Sequence, residues 1–382
     1  MMTIKNGLVL YGVNLEPMET NVIIDDKGEI VKLSSNDVQG EVVDASGCIV
    51  CPAFINAHTH IGDSFIKDLG DGLSIEELVK PPHGLKHECL AKASREEVIS
   101  SMHESARDML YNGISTFIDF REGGVNGVNM LKEAVYDLPI NVCILGRDDR
   151  FYDEDIGIDE VRSITSEFLR CCDGVGLSGL SDIRFEVVEA IVDVCNGEGK
   201  ISAIHVAEYY ELQEDSVDKT GESEIKRALL AKCGVLVHGT YPVLDDFKAV
   251  GESSPFIVCC SRSNGMLGSG LPPVSSYLDE GVDVCLGSDN VMFNSPDMFR
   301  EMEYVLKSTR GAYRSRKFCA RDVLKMCTIN GFKILGKDIS IREGNVSDIL
   351  IIKRKSNDPW LSIVNRSSSV DIVQFIIGNE MN

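Results

Sequence analysis

The sequence predicts a distorted (β/α)8 barrel joined to a small β domain that is built from both ends of the chain. Eight short runs rich in β-branched residues alternate with helical patterns over about 240 central residues, which is typical of parallel βαβ units. The full length of 382 residues suits one barrel and one small module. A doubly wound sheet is the alternative, because a count of strands does not prove that the sheet closes.

The β domain is predicted from segments at opposite ends of the chain. Residues 3–34 read as short strands with an Asp-Lys-Gly turn, and residues 344–353 and 370–377 have the same β-rich character. Either end alone would leave exposed strand edges, so the two ends are expected to form one composite β-sandwich. The predicted domain bounds are 1–48 with 340–382 for the β-sandwich and 49–339 for the barrel.

The barrel elements follow in order along the chain. Ser94 and Glu97 have capping-box spacing and predict a helix over 94–112, and further helices are predicted over 158–171 and 183–197. In such a barrel the chemistry lies at the C-terminal ends of the strands. The predicted strands are 49–56, 114–120, 140–146, 173–178, 200–206, 233–238, 256–260 and 282–288.

Composition and charge indicate which class of molecule the protein binds. The chain carries 38 Lys and Arg against 60 Asp and Glu, a formal charge of −22, which disfavours nucleic acid and anionic membranes and favours a small molecule. Thirteen scattered Cys indicate buried thiols in a reducing cytoplasm, and the Cys48/Cys51 pair reads as part of a buried strand rather than a metal or redox site. We find no targeting segment or membrane-spanning run, and therefore expect a cytoplasmic protein.

Four of the seven His lie at predicted strand ends. His58 and His60 have the i, i+2 spacing that points both side chains to one face of a strand. His205 ends the fifth strand, His238 ends the sixth, and Asp289 follows the eighth. Four imidazoles and one carboxylate that converge on one end of a barrel predict a metal site.

The motifs around these residues resemble the amidohydrolase superfamily, in its branch of cytosine deaminases, adenosine deaminase-like enzymes and chlorohydrolases. The resemblance covers nearly the whole chain and implies a distorted barrel with a composite β-sandwich and hydrolysis of C–N or related bonds. Its motifs, in chain order, are CPAFINAHTH, IHVAE, VHGTYP, LGSDN and REGNVSDILII.

The resemblance also implies a ligand set. Two-metal members carry a carboxylated Lys after strand four, and the segment DGVGLSGLSD has none, which favours one metal ion. Imidazole and carboxylate suit both Zn(II) and Fe(II), and we expect Zn(II). The implied ligands are His58, His60, His205 and Asp289, with His238 beside the bound water.

The mechanism that follows is attack by metal-activated hydroxide with release of ammonia. A divalent cation lowers the pKa of its water to about 7. Asp289 would accept that proton, His238 would orient the nucleophile, and Glu208 would protonate a ring nitrogen and then the departing ammonia. We therefore predict deamination of an aminated purine, pyrimidine or pterin. The alternatives are removal of chloride or an alkylamine, or a non-catalytic scaffold on the same fold.

Weaker candidates surround this set. For each arginine among these candidates, the alternative is a structural ion pair. The segment Ser261-Arg262-Ser263-Asn264 also departs from the Pro-x-Ser-Asn of the family. His83 and His87 read either as a lid or as a solvated loop, and a homo-oligomer is compatible with this branch. The candidate substrate-binding residues are Arg121, Glu122, Arg147, Asn264 and Asn290.

Overall fold

Both ends of the chain contribute strands to two small sheets in the computed structural model, which describes residues 1–79 and 84–378. The strand order is β5-β4-β1-β6 in the first sheet and β18-β17-β7-β2-β3 in the second. Their bounds are β1 (Met2–Lys5), β2 (Leu8–Tyr11), β3 (Glu16–Glu19), β4 (Asn21–Ile24), β5 (Ile30–Ser34), β6 (Glu41–Asp44), β7 (Cys48–Pro52), β17 (Ile349–Lys353) and β18 (Ile372–Ile376).

The two sheets share one apolar core, as the predicted β-sandwich requires. Ile4 and Val22 from the first sheet cluster with Val50, Ile349 and Ile351 from the second, and all five are buried. Because β7 lies between β17 from the C-terminal end and β2 from the N-terminal end, neither end can form this sheet without the other.

The predicted strand 49–56 is in fact two strands. β7 belongs to the β-sandwich, and the first barrel strand begins only at Phe54, so the prediction was wrong about where that strand starts. Ala53 separates the two and donates its backbone N–H to Asp348 O at 2.8 Å. Every residue from Cys48 to His60 is buried, so the apolar run gives no alternation from which to locate the break.

The centre of the chain forms a closed parallel barrel. Its eighth strand is split in two: β15 pairs with β14, and β16 pairs with β8 through Asp289 opposite Thr59. The sheet therefore closes on itself, and the doubly wound alternative is wrong. The barrel strands are β8 (Phe54–His60), β9 (Ile114–Arg121), β10 (Asn141–Gly146), β11 (Gly174–Gly179), β12 (Ile201–Val206), β13 (Val235–His238), β14 (Phe256–Cys259), β15 (Val284–Leu286) and β16 (Asp289–Asn290).

Helices surround the barrel. Ser94 accepts the backbone N–H of Glu97, which caps α3 as predicted. Within the described residues, 1–79 and 84–378, no helix has the length and apolar character needed to cross a membrane. Their bounds are α1 (Ile75–Val79), α2 (Leu85–Lys92), α3 (Arg95–Tyr111), α4 (Gly124–Val135), α5 (Ile158–Phe168), α6 (Phe185–Gly197), α7 (Tyr210–Thr220), α8 (Glu224–Leu230), α9 (Asp246–Ser253), α10 (Ser261–Leu267), α11 (Val274–Asp279), α12 (Met298–Tyr313), α13 (Ala320–Met326), α14 (Ile329–Ile334) and α15 (Pro359–Arg366).

Candidate active site

Four side chains with metal-ligating atoms meet at the C-terminal end of the barrel. Their donor atoms all lie within 4.8 Å of one another: His58 and His60 come from β8, His205 from β12 and Asp289 from β16. His58 Nε2 lies 3.3 Å from Asp289 Oδ1, and His60 Nε2 lies 3.3 Å from His205 Nε2. Three imidazoles and one carboxylate at this spacing form a donor set that fits a divalent metal ion.

The imidazoles of this cluster are buried and neutral. Burial lowers the pKa of His58, lowers that of His60 to about 3, and lowers that of His205 well below its usual range. Neither ring nitrogen of His58 makes a hydrogen bond with another group in the described part of the chain. A buried polar atom without a partner is costly, and a metal ion would satisfy it.

The carboxylate of Asp289 is ionised although it is buried. Burial alone would raise its pKa, but the contact with His58 and the electrostatic interactions with His58, His238 and His60 hold the pKa of Asp289 well below its usual range. Its Oδ2 accepts a hydrogen bond from Ser263 Oγ at 2.6 Å, which leaves Oδ1 directed at His58. Ser263, which follows strand seven, thus orients this carboxylate.

A backbone acceptor and a side-chain acceptor fix the orientation of the His205 and His238 rings. His205 Nδ1 lies 2.8 Å from Leu177 O, and His238 Nδ1 lies 3.0 Å from Asn264 Oδ1. When Nδ1 donates to these acceptors, the lone pair is on Nε2, the nitrogen that faces the site.

Close packing inside the barrel holds the histidines in place. The Phe120 ring lies 4.3 Å from the His58 ring and 5.1 Å from the His205 ring, centroid to centroid. A Cβ at Gly176 would come within 2.5 Å of Phe120, and a Cβ at Gly287 would come within 2.6 Å of the His58 Cβ. Both glycines are therefore needed where they stand, one in strand four and one within the split eighth strand.

Three residues at the strand ends have left-handed backbone conformations. The φ angles are 52° for Ala207, 71° for His238 and 62° for Asp289. Non-glycine residues adopt this region at a cost, and such positions cluster at active sites. Glu224 Oε2 accepts the backbone N–H of Ala207 at 2.8 Å, which supports this turn between His205 and Glu208.

Glu208 lies next to His238 at the wall of the pocket. Its Oε2 is 3.7 Å from His238 Nε2, and burial raises the pKa of the Glu208 carboxyl above its ordinary value. A carboxyl with a raised pKa holds a proton closer to neutral pH and can act as a general acid. Cys260 also lies near His238 and Asp289, but burial keeps its thiol protonated by raising its pKa well above the usual range.

A pocket opens above this cluster. His60, His205, His238, Asp289 and Glu208 line it on the barrel side. The opposite side is formed by α1 and α2, which we call the roof, and Ile75, Val79, Lys86 and His87 are its lining residues.

A dense ion-pair cluster occupies the side of the mouth next to strands two and three. Glu122 follows β9, and its Oε1 lies 2.8 Å from Lys86 Nζ and 3.4 Å from Arg147 Nη2, while Arg121 contacts Oε2. Burial alone would raise the pKa of Glu122, but Lys86 and Arg121 hold it well below its usual range. Lys86 is itself only 3% exposed.

The candidate substrate residues occupy different places in this arrangement. Glu122, Arg147 and Asn290 line the pocket, whereas Arg121 lines a neighbouring cavity. Asn264 is fully buried behind His238.

The two loop histidines of the sequence analysis also differ. His87 Nε2 lies 3.1 Å from Val79 O within the roof. His83 lies outside the described residues.

Sequence reasoning missed three residues of the site. Lys86 stands in the same loop as the two candidate histidines, and a lone Lys there gives no signal that it is buried. Asp63 follows the His58/His60 motif by three residues and accepts a hydrogen bond from Asn290 Nδ2 at 2.6 Å. Phe120 reads as an ordinary apolar strand residue, and only its contact with the histidine rings reveals its position.

Comparison with known proteins identifies the family of this chain. The sequence profile of the amidohydrolase family matches residues 49–379. The chain therefore belongs to the amidohydrolase family, and it is a hydrolase of C–N bonds other than peptide bonds.

Particular relatives extend over the whole chain. A candidate aminohydrolase from Methanothermobacter thermautotrophicus is 45% identical over 100% of this chain and 99% of its own length. The 5-methylthioadenosine/S-adenosylhomocysteine deaminase of Pyrococcus abyssi is 26% identical over 99% of this chain and 92% of its own length. The atrazine chlorohydrolase of Arthrobacter aurescens TC1, solved with zinc, shares the fold with a TM-score of 0.84, at 17% identity over 100% of this chain and 94% of that one.

Proposed function

We propose that this protein is a mononuclear metal-dependent deaminase that releases ammonia from an aminated heterocycle, with purine nucleosides as the first class to test. The observation that carries the proposal is the buried donor cluster with a protonatable carboxyl, Glu208, placed beside it. The similarity to a 5-methylthioadenosine/S-adenosylhomocysteine deaminase supports a purine substrate.

The metal would be held by His58, His60, His205 and Asp289. The fit rests on the unpartnered ring nitrogens of His58 and on the Nε2 atoms that converge from β8 and β12. A divalent ion there supplies hydroxide at neutral pH by lowering the pKa of a water. We propose Zn(II), with Fe(II) as the alternative, because the imidazole and carboxylate donors suit both ions.

The chain's own residues would handle the protons. Glu208 Oε2 would pass its proton to the ring nitrogen beside the carbon under attack, which leaves an ionised carboxylate. That carboxylate would then take the hydroxyl proton from the oxygen added to this carbon as the carbonyl forms and deliver it to the departing ammonia, and the proton held by Asp289 would return to Glu208. His238 Nε2 has its lone pair directed into the pocket, because Nδ1–H donates to Asn264, and so accepts a hydrogen bond from the attacking water. Asp289 takes the proton that this water loses.

Recognition of the rest of the substrate is assigned to Arg147 and Asn290. Arg147 lines both the pocket and the neighbouring cavity of about 740 Å³, so an arm of the substrate could extend past it. Among the described residues, the Arg147 guanidinium forms an ion pair with Glu122 at 3.4 Å and lies 5.9 Å from the Tyr152 ring. We propose that an anionic or strongly polar arm contacts Arg147.

A panel of aminated purines, pyrimidines and pterins, assayed for ammonia, tests this function. Chlorinated and alkylamino heterocycles in the same panel test the alternative reaction, in which chloride, unlike ammonia, needs no proton to depart. Ammonia release from at least one amine, with no chloride release, is the expected result. Release of chloride alone would replace deamination by the alternative.

A further inference from the structure

The carboxylate of Glu122 is contacted by four basic side chains, and one of them belongs to the metal-site cluster. Its Oε1 lies 3.4 Å from His60 Nδ1, in addition to Lys86 Nζ at 2.8 Å and Arg147 Nη2 at 3.4 Å. Arg121 contacts the second oxygen. Glu122 is thus shared between the ion-pair cluster and His60.

The two ring nitrogens of His60 face opposite partners. Nε2 lies 3.3 Å from His205 Nε2 and 3.7 Å from Asp289 Oδ1, within the donor cluster, while Nδ1 faces Glu122. A neutral imidazole has one N–H, and the nitrogen that binds a metal must be the unprotonated one. A ligating His60 therefore carries its hydrogen on Nδ1, where the Glu122 carboxylate is the acceptor in reach.

His60 differs from His205 and His238 in the kind of acceptor that its Nδ1 faces. His205 and His238 direct Nδ1 at neutral oxygens, those of Leu177 and Asn264. His60 directs Nδ1 at a carboxylate. A charged acceptor forms a stronger hydrogen bond and raises the basicity of the nitrogen that binds the metal.

We propose that Glu122 is a positioning residue for the metal centre, which accepts the Nδ1–H of His60 and is itself held in place by Lys86. This rests on the proposed function, in that His60 is taken as a ligand. Lys86 comes from α2, in the roof of the pocket, and also lies 3.5 Å from Asp63. One chain of contacts therefore connects the roof over the substrate to a metal ligand.

Substitution of Glu122 tests the contact through metal binding, with no substrate required. Glu122→Asp keeps the charge that Lys86 and the arginines need but withdraws the carboxylate by one methylene, and we expect Zn(II) affinity to fall about 10- to 100-fold in chelator competition. Glu122→Gln keeps the reach and an acceptor oxygen, so its loss should be smaller. The visible spectrum of the Co(II)-substituted protein should change in Glu122→Asp. Glu133→Asp, an exposed Glu paired with Arg95, is the matched control.

Lys86→Met tests the second link and remains decisive if the Glu122 variants do not fold. We expect a weaker Zn(II) affinity and an altered Co(II) spectrum in Lys86→Met, and neither change in Lys92→Met on the exposed side of the same helix. Affinity and spectra equal to the wild type in every folded variant would overturn the proposal. If the wild type itself binds no divalent metal, the proposed function fails first. If it binds metal but deaminates nothing, the positioning role still stands or falls on these measurements.

Discussion

The two halves of the barrel mouth treat their polar groups in opposite ways. On the side of strands one, five and eight, three buried histidines and Asp289 converge, and both ring nitrogens of His58 lack a hydrogen bond within the described part of the chain. On the side of strands two and three, the charges of Arg121 and Glu122 are matched by opposite charges in direct contact. One half offers metal-ligating atoms, and in the other half the charged groups are paired with one another.

This difference separates residues that act on something outside the protein from residues that support them. A buried polar group without a partner costs free energy that a bound ion or substrate returns, whereas a buried ion pair mainly fixes geometry. The boundary between the halves is the His60–Glu122 contact. Substitutions in the histidine half should therefore remove the metal and abolish turnover. Those in the charged half should weaken metal binding only partly, through the His60–Glu122 contact, and change how the substrate is bound.

The largest effect is expected from loss of a ligand. His58→Ala or His205→Ala should lower the metal content from about one ion per chain to near zero and abolish turnover, because three donors hold the ion less tightly than four. Elemental analysis checks this, with His103→Ala as the control, since His103 lies in α3 and contacts Ala134 O. A content near two ions per chain would contradict a mononuclear centre.

The next largest effect is expected from loss of the proton donor, Glu208. Glu208→Gln should keep the metal and lower kcat by at least ~10²-fold, the usual cost of losing general acid catalysis. Glu211→Gln, an exposed residue three positions further along the chain, is the control and should leave kcat unchanged. Loss of metal together with activity would identify Glu208 as a ligand instead, and unchanged turnover would remove it from the mechanism.

A smaller and more selective effect is expected in the charged half. Arg147→Met should raise KM about 10- to 100-fold for a substrate with an anionic arm, the loss of one charge-assisted contact, and change little for the bare heterocycle. Steady-state kinetics on a matched pair of substrates decide this. Equal losses for both would show that Arg147 only supports the fold through Glu122.

The histidine half was accessible from the sequence, and the charged half only in part: Arg121, Glu122 and Arg147 were candidates, but Lys86 was not. HxH, HxxE and the Asp after strand eight are fixed to strand ends, so the barrel alone brings them together. Lys86 reaches the site from a loop helix, and its burial follows from contacts with Asp63 and Glu122 that no periodicity encodes. Asn264 was expected to contact substrate, and the structure directs it to His238, because the turn into α10 buries it.

The smallest predicted effect compares two buried glutamates. Glu122 is surrounded by cations, whereas Glu224 faces the Ala207 N–H, and burial raises the pKa of Glu224 to about 7. Between the ordinary glutamate pKa of 4.5 and this value, the folded state keeps a proton that the unfolded state has released, so stability falls as the pH rises.

Glu224→Gln should remove this loss while keeping an acceptor for Ala207. The metal-free variant is expected to be more stable than the wild type in urea unfolding at pH 8, and the difference should shrink towards pH 5, where Glu224 is protonated in the folded wild type. Glu211→Gln again serves as the exposed control. Glu122 should show the opposite pH dependence of stability, because its pKa lies below the usual range and its contribution to stability is lost only as the pH falls. A pH-independent difference for Glu224→Gln would mean that this carboxyl is ionised in the folded protein, and the contrast between the two glutamates would disappear.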